Sequence, residues 1–203
     1  MSPEQLLARL QPDDIERRLR QRRPRRITRL VAPRRAAVAA ILRPSELGPE
    51  LLLMRRVARD GDRWSGQISM PGGMASKDDR DSRATAQRET YEEVGLDLGS
   101  HGRLLGRSDD QVAIAKGRPL PMAITPWVFA LERPAELALG DEAEEAFWLP
   151  LEPLLRGALD DVYVYEMAGL RHELPAWRFE ERVVWGLTHR MISRLLEVLR
   201  SGR

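Results

Sequence analysis

Apolar runs of strand length, a glycine turn opening into a charged helix, and a closing stretch at helical spacing predict an α/β fold. The chain has 203 residues, enough to bury a full core, and reads as one enzyme-sized domain with an N-terminal extension. Ser2-Pro3-Glu4 reads as a helix start, with serine as cap and proline in the first turn. A second short helix is expected over residues 12–22. Residues 35–42 and 50–57 are apolar strand-like runs separated by a Pro44/Gly48/Pro49 turn. A short strand is expected at 67–69. A helix then starts near Ser82 and stops at Gly95. Strands follow near 103–107, 122–131 and 145–148. Residues 184–199 carry apolar side chains at helical spacing and predict a capping helix.

The chemistry concentrates in Arg88-Glu89-Thr90-Tyr91-Glu92-Glu93-Val94-Gly95-Leu96. In a helix, Glu89, Glu92 and Glu93 stand at i, i+3 and i+4 and share one face. Three like charges on one face are costly unless a cation sits among them. Oxygen ligands suit a hard divalent ion, Mg²⁺ or Mn²⁺. Glu89 and Glu93, one turn apart, are the first candidates as ligands. Glu92 completes a second metal site or tunes the first. Arg88 reads as a residue that holds these carboxylates rather than touching substrate. Upstream, Pro71-Gly72-Gly73 forms a tight turn whose backbone can approach a ligand closely. A glycine turn running into a carboxylate-bearing helix suits a metal–diphosphate complex.

This stretch resembles the signature of the Nudix hydrolases, with Gly73 opening the box, Arg88-Glu89 and Glu92-Glu93 forming its core, and Gly95-Leu96 closing it. It departs from that signature in three places. One extra residue lies between Gly73 and Arg88, Asp79 stands where a glutamate is expected, and Thr90 replaces a small or aliphatic residue. The extra residue and the run Gly66-Gln67-Ile68-Ser69-Met70-Pro71-Gly72-Gly73 resemble the coenzyme A pyrophosphatase branch, with Met70 in place of phenylalanine. Ile124-Thr125-Pro126-Trp127, the acidic run ending in Trp148-Leu149-Pro150-Leu151, and Val184-Trp185-Gly186-Leu187-Thr188 extend the likeness over most of residues 35–200.

The resemblance implies a mixed β-sheet sandwiched between helices over residues 31–203. It also implies a metal-dependent hydrolase cleaving a diphosphate in a nucleoside-diphosphate derivative. Coenzyme A or an acyl derivative is the expected substrate, with ADP-ribose, NADH or nucleotide sugars as the alternative. A catalytically silent Nudix-fold binding module is the alternative of another class. The Gly73 carbonyl is implied as a backbone metal ligand. Arg56, Arg63, Gly72 and Gly73 are implied in substrate binding. The general base is left open among the box glutamates, Glu142 and Glu145.

Composition excludes other classes. Cysteine is absent, which removes disulfides, thiol catalysis and cysteine-ligated zinc. No apolar run approaches bilayer-spanning length, and the N-terminus lacks a secretion pattern, so no membrane partner and a cytoplasmic location are expected. His101, His172 and His189 have no paired spacing and read as surface or structural residues. Ser65 and Ser69 lack a catalytic-triad context. The five tryptophans read as core candidates, with Trp64 also placed to face an adenine.

Charge is uneven. The chain carries +2, but residues 1–35 hold eleven arginines against four acids, a local +7. No aromatic residue interrupts that stretch, so base stacking has no platform there and nucleic acid is not expected as a partner. Residues 1–30 are expected to form amphipathic helices outside the catalytic machinery. Leu6, Leu7 and Leu10 would pack on the domain or on a second copy in a homodimer.

Overall fold

A computed structural model describes residues 2–8, 10–61, 64–115, 118–167 and 170–200. The centre of the fold is β1 (Arg34–Arg43), an Ala/Val/Ile run buried along nearly its whole length. Its alternating side chains feed two cores. Ala36, Val38, Ala40 and Leu42 face one side. Ala37, Ala39 and Ile41 face the other.

The hairpin partner β2 (Glu50–Arg56) pairs with β1 only where Leu42 meets Leu51 and Arg43 meets Glu50. Beyond that point β2 leaves β1 for β3 (Ile68–Ser69), while its other edge pairs with β8 (Ala143–Pro150) along its whole length. The free half of β1 is taken by β4 (Gly72–Met74), with Ala37 opposite Gly73 and Val38 opposite Gly72. One short segment therefore crosses from β2 to β1, and the Pro71 carbonyl accepts from Ala39 N–H at 2.8 Å on the way. On its other side β1 runs parallel to β7 (Arg118–Leu131), which also pairs with β5 (Gly102–Arg107) and β6 (Gln111–Ala115).

Helices cover both faces of this mixed sheet, as predicted. Helix α3 (Ser82–Val94) lies on the Ala37/Ala39 face through Ala86 and Val94. Helix α6 (Gly186–Arg200) lies on the opposite face through Met191, Ile192, Leu195 and Leu199. Two short helices complete the connections: α4 (Leu98–His101) leads from α3 into β5, and α5 (Leu151–Leu155) follows β8. No helix of the described residues is long and apolar enough to cross a membrane.

The sequence reading misses a second sheet. Strands β9 (Asp160–Met167), β10 (Leu170–Phe179) and β11 (Arg182–Trp185) form an antiparallel meander. Val162-Tyr163-Val164-Tyr165 alternates valine with tyrosine, so neither face reads as polar. Tyr163 stacks on Trp185 at 3.9 Å between centroids, while Val162 and Val164 stay exposed. The same sheet corrects the start of the last helix. Val183-Val184-Trp185 are β-formers that pair with β10, and α6 begins only at Gly186, whose φ of 62° turns the chain.

The N-terminal segment is knit into the main core. Helices α1 (Pro3–Ala8) and α2 (Pro12–Gln21) precede an extended stretch. Ile15 and Leu19, four residues apart on α2, are buried with Leu10 in the α6-side core. Leu19 rests on Gly106, where an added Cβ would lie 2.9 Å from it. The arginine face is only partly solvated. Nη2 of Arg22 donates to both oxygens of buried Asp109 at 2.9 and 3.0 Å, and the acids Asp13 and Glu16 of α2 pair with Arg103 of β5. Replacing Ile15 by alanine leaves a cavity in a shared core, so it should cost about 2–5 kcal/mol. Urea unfolding of the full chain measures this; a loss below about 0.5 kcal/mol would mean that α2 merely rests on the surface.

Candidate active site

The site is built around α3. Asp81 caps its N-terminus, accepting from Arg83 and Ala84 N–H at 2.9 Å each. Gly95 ends it in the left-handed conformation at φ 67°, returning its N–H to the Tyr91 carbonyl. A loop seals this end, with Ala138 N–H on the Val94 carbonyl at 3.0 Å and Gly140 N–H on that of Glu93 at 2.9 Å. Glycine is required at 140 because a Cβ there would lie 1.9 Å from the Glu92 carbonyl oxygen. Thr90, a departure from the expected pattern, is fully buried and donates to the Ala86 carbonyl at 2.7 Å.

The helix presents its carboxylates to β4. Glu93 is only 2% exposed. Its Oε2 accepts Gly72 N–H at 2.7 Å, and Arg56 stands 3.4 Å from Oε1. Burial dominates its acidity, pushing the carboxyl up to about 8 against the opposing pull of the Gly72 N–H and Arg56. Burial also raises the Glu89 carboxyl. Glu89 lies so close to Gly73 that a Cβ on that glycine would meet Oε2 at 2.4 Å. Gly72 is equally confined: its φ is 151°, and a Cβ would meet the Ala37 carbonyl at 2.3 Å. The two glycines let carboxylates and strand backbone share one narrow space.

Arg88 links the acids. It forks onto Asp79 at 3.0 Å for both contacts, reaches Glu89 at 2.9 Å and Glu92 at 2.8 Å, and donates to the Met74 carbonyl at 3.0 Å. Asp79 is held down to about 2, chiefly by that arginine, with the Ser76 N–H and Thr85 hydroxyl adding to it. Asp79 thus serves as the anchor of Arg88, a partnership that its sequence position hinted at only as a mismatch. Among the described residues no group of three or more acidic or histidine side chains already stands as a metal cluster. Glu89 and Glu92 turn to Arg88, and Glu93 turns to Gly72 and Arg56.

The three glutamates line one cavity of about 760 Å³. One end holds Glu89, Glu92, Glu93, Gly72 and Gly73, with Arg56, Arg59, Asp141 and Glu142 beside them. The other is apolar, walled by Ile124 and Met122 of the sheet and by Leu187 and Met191 of α6. Trp64 also lines it. Arg59 went unnoticed in the sequence because no motif marks it. It clasps the sealing loop, donating to Glu142 Oε1 at 3.0 Å and to the Asp141 carbonyl at 2.8 Å. Glu142 is exposed and also lies 3.6 Å from Arg56. Glu145, the other candidate base, is absent from the cavity lining and is held by Arg55 and Arg182 at 2.9 Å each. His101, His172 and His189 do not line the cavity either. Arg63 lies outside the described residues.

A family model for the NUDIX domain matches residues 33–167. The mitochondrial coenzyme A diphosphatase NUDT8 of Mus musculus is 32% identical over 92% of this chain and 89% of its own length. The chain belongs to the Nudix hydrolase family. An uncharacterized protein of Schizosaccharomyces pombe is 36% identical over 64% of this chain, which spans 45% of that relative's length. Among solved structures, an Ap4A hydrolase binary complex of C. elegans matches with a TM-score of 0.50 at 22% identity, over 61% of this chain and 84% of that one, a likeness of fold.

The Nudix helix carries a testable electrostatic signature. Glu93 binds its proton more tightly folded than unfolded, with an ordinary value of 4.5 raised to about 8. Its contribution to metal-free stability is therefore complete below the ordinary value and is lost as pH rises toward 8. Glu93→Gln, which cannot ionise, should raise the urea midpoint in chelator at pH 8.5 and leave it nearly unchanged at pH 4.5. An equal effect at both pH values would show that Glu93 does not titrate in this range.

Proposed function

We propose that this Nudix hydrolase cleaves the diphosphate of coenzyme A or an acyl-coenzyme A, releasing 3′,5′-ADP and 4′-phosphopantetheine or its acyl derivative. The observation that carries the reading is the cavity, which joins a carboxylate and glycine end to an arginine pair and an apolar wall. The likeness of Gly66–Gly73 to the coenzyme A pyrophosphatase branch and the kinship with the murine diphosphatase support the substrate.

A divalent cation fits the donor set. Glu89, Glu93 and the Gly73 carbonyl would hold it, with Glu92 beside them, because the carboxylates crowd a backbone that only glycine keeps open. Such an ion, Mg²⁺ or Mn²⁺, would neutralise phosphate oxygens and sharpen a water nucleophile. The chain's own residues do the rest. Arg88, anchored by Asp79, keeps Glu89 and Glu92 oriented. Arg56 and Arg59 offer cationic contacts to a phosphate. Glu142, held at the rim by Arg59, is the acid best placed to take a proton from water. Attack on one phosphorus breaks its bridging P–O bond and leaves two phosphomonoesters. The apolar wall suits the pantetheine arm and an acyl chain.

Two measurements test this. A panel of coenzyme A, acetyl-coenzyme A, dephospho-coenzyme A, ADP-ribose and NADH, with Mg²⁺ or Mn²⁺, should give the highest kcat/KM for the coenzyme A compounds. Far faster cleavage of ADP-ribose and dephospho-coenzyme A would overturn the substrate while leaving the reaction standing. Glu89→Gln should lower kcat by about 10²-fold or more in a folded protein. Near-normal turnover would overturn the ligand assignment.

A further inference from the structure

Residues 23–34 carry a feature that diphosphate hydrolysis does not use. Arg23, Arg25, Arg26, Arg29 and Arg34 are all exposed, and among the described residues none of these five side chains forms an ion pair. Between them a turn closed by Thr28, whose carbonyl accepts from Val31 and Ala32 N–H at 3.2 and 3.1 Å, lifts two apolar side chains into water. Leu30 is 95% exposed and Val31 66%.

The fold presents this segment rather than leaving it loose. Asp109 and Asp110 are buried, 2% and 7% exposed. Asp109 accepts Arg25 N–H at 2.7 Å, Asp110 accepts Ile27 N–H at 2.9 Å, and the Arg25 carbonyl receives Asp110 N–H at 2.9 Å. Arg22, Arg35, Arg107 and Arg194 neutralise the two aspartates from within. The backbone is pinned on the protein side, and the unpaired guanidinium groups of Arg23, Arg25, Arg29 and Arg34 are exposed, while exposed Arg26 lies near enough to Arg107 to act on it.

We propose that this edge docks on an anionic lipid surface, with Leu30 and Val31 entering the headgroup region and the arginines pairing with lipid phosphates. Charge complementarity selects a polyanion. The apolar tip selects a bilayer interface over nucleic acid, since the segment holds no aromatic side chain to stack on bases and the tip would gain nothing from a phosphate backbone. The contact is peripheral and needs no membrane-spanning helix. It also has a bearing on the cavity. Arg34 pairs across from Met122 of the cavity wall, so the docked edge begins next to the cavity's apolar end.

Sedimentation of the full chain with phosphatidylcholine vesicles, with and without phosphatidylglycerol, tests this at about 0.15 M salt. Binding is expected only to the anionic vesicles. Each cation near such a surface contributes about fivefold, so the Arg23→Glu/Arg25→Glu/Arg29→Glu protein should bind at least about 10²-fold more weakly. Leu30→Ser/Val31→Ser should weaken binding at least about fivefold. Both variants change exposed side chains and should keep the urea midpoint and the turnover of soluble substrate. Failure to bind anionic vesicles, equal binding to neutral ones, or binding indifferent to either variant overturns the proposal. So does retention on duplex DNA in preference to the vesicles, or a dimer that Leu30→Ser/Val31→Ser dissociates without any vesicle binding.

Discussion

The site depends on the contact between Glu93 and the backbone of β4. A carboxyl group is set almost out of water against an amide N–H, on a strand whose two glycines are the residues that permit the approach. Desolvation of that group is expensive, and one hydrogen bond from Gly72 with a longer contact from Arg56 compensates it only in part. The native state without a cation therefore favours the protonated acid. Under the proposed function, a bound cation would meet the full charge of this group.

The surrounding architecture keeps that contact in register. β1 is shared between β2 and β4, and the crossing segment 68–74 delivers Gly72 and Gly73 beneath α3. The far end of the helix is fixed by Gly140 and Ala138, and the same loop carries Asp141 and Glu142 to the rim. Movement of α3 would disturb the metal-ligating candidates and the candidate base together. Arg88 and Asp79 complete the frame: a charge-assisted fork spends little conformational freedom once formed and holds two acids that would otherwise repel.

Local chemistry made much of this legible in the sequence. The run from Arg88 to Leu96 announced a carboxylate face, and Ser82 and Gly95 marked its helix within a residue at each end. The strands at 35–42 and 50–57 stood out because consecutive apolar residues feed cores on two sides of a sheet. What stayed hidden depends on distant residues meeting. Arg22 and Asp109 are 87 positions apart, and Arg59 and Glu142 are 83 apart. No spacing rule connects such pairs. The β9–β10 hairpin escaped because valine and tyrosine alternate on β9, where neither face is plainly polar, so its period-2 signal is weak. The arginine-rich segment misled in one respect. Its charge read as a solvated face, whereas buried aspartates fix part of it and leave the remainder aimed outward.

The claim that Glu93 waits as a neutral acid for a cation predicts a proton count. Calorimetric titration of Mn²⁺ into the full chain, repeated in buffers of different ionisation enthalpy, reads the protons released per ion bound. At pH 6.5, well below the value of about 8 for Glu93, about one proton should be released, falling toward zero near pH 9.5. Metal binding with no proton release at pH 6.5 would contradict the account, because Glu93 would then already be ionised in the metal-free protein or would take no part in holding the ion.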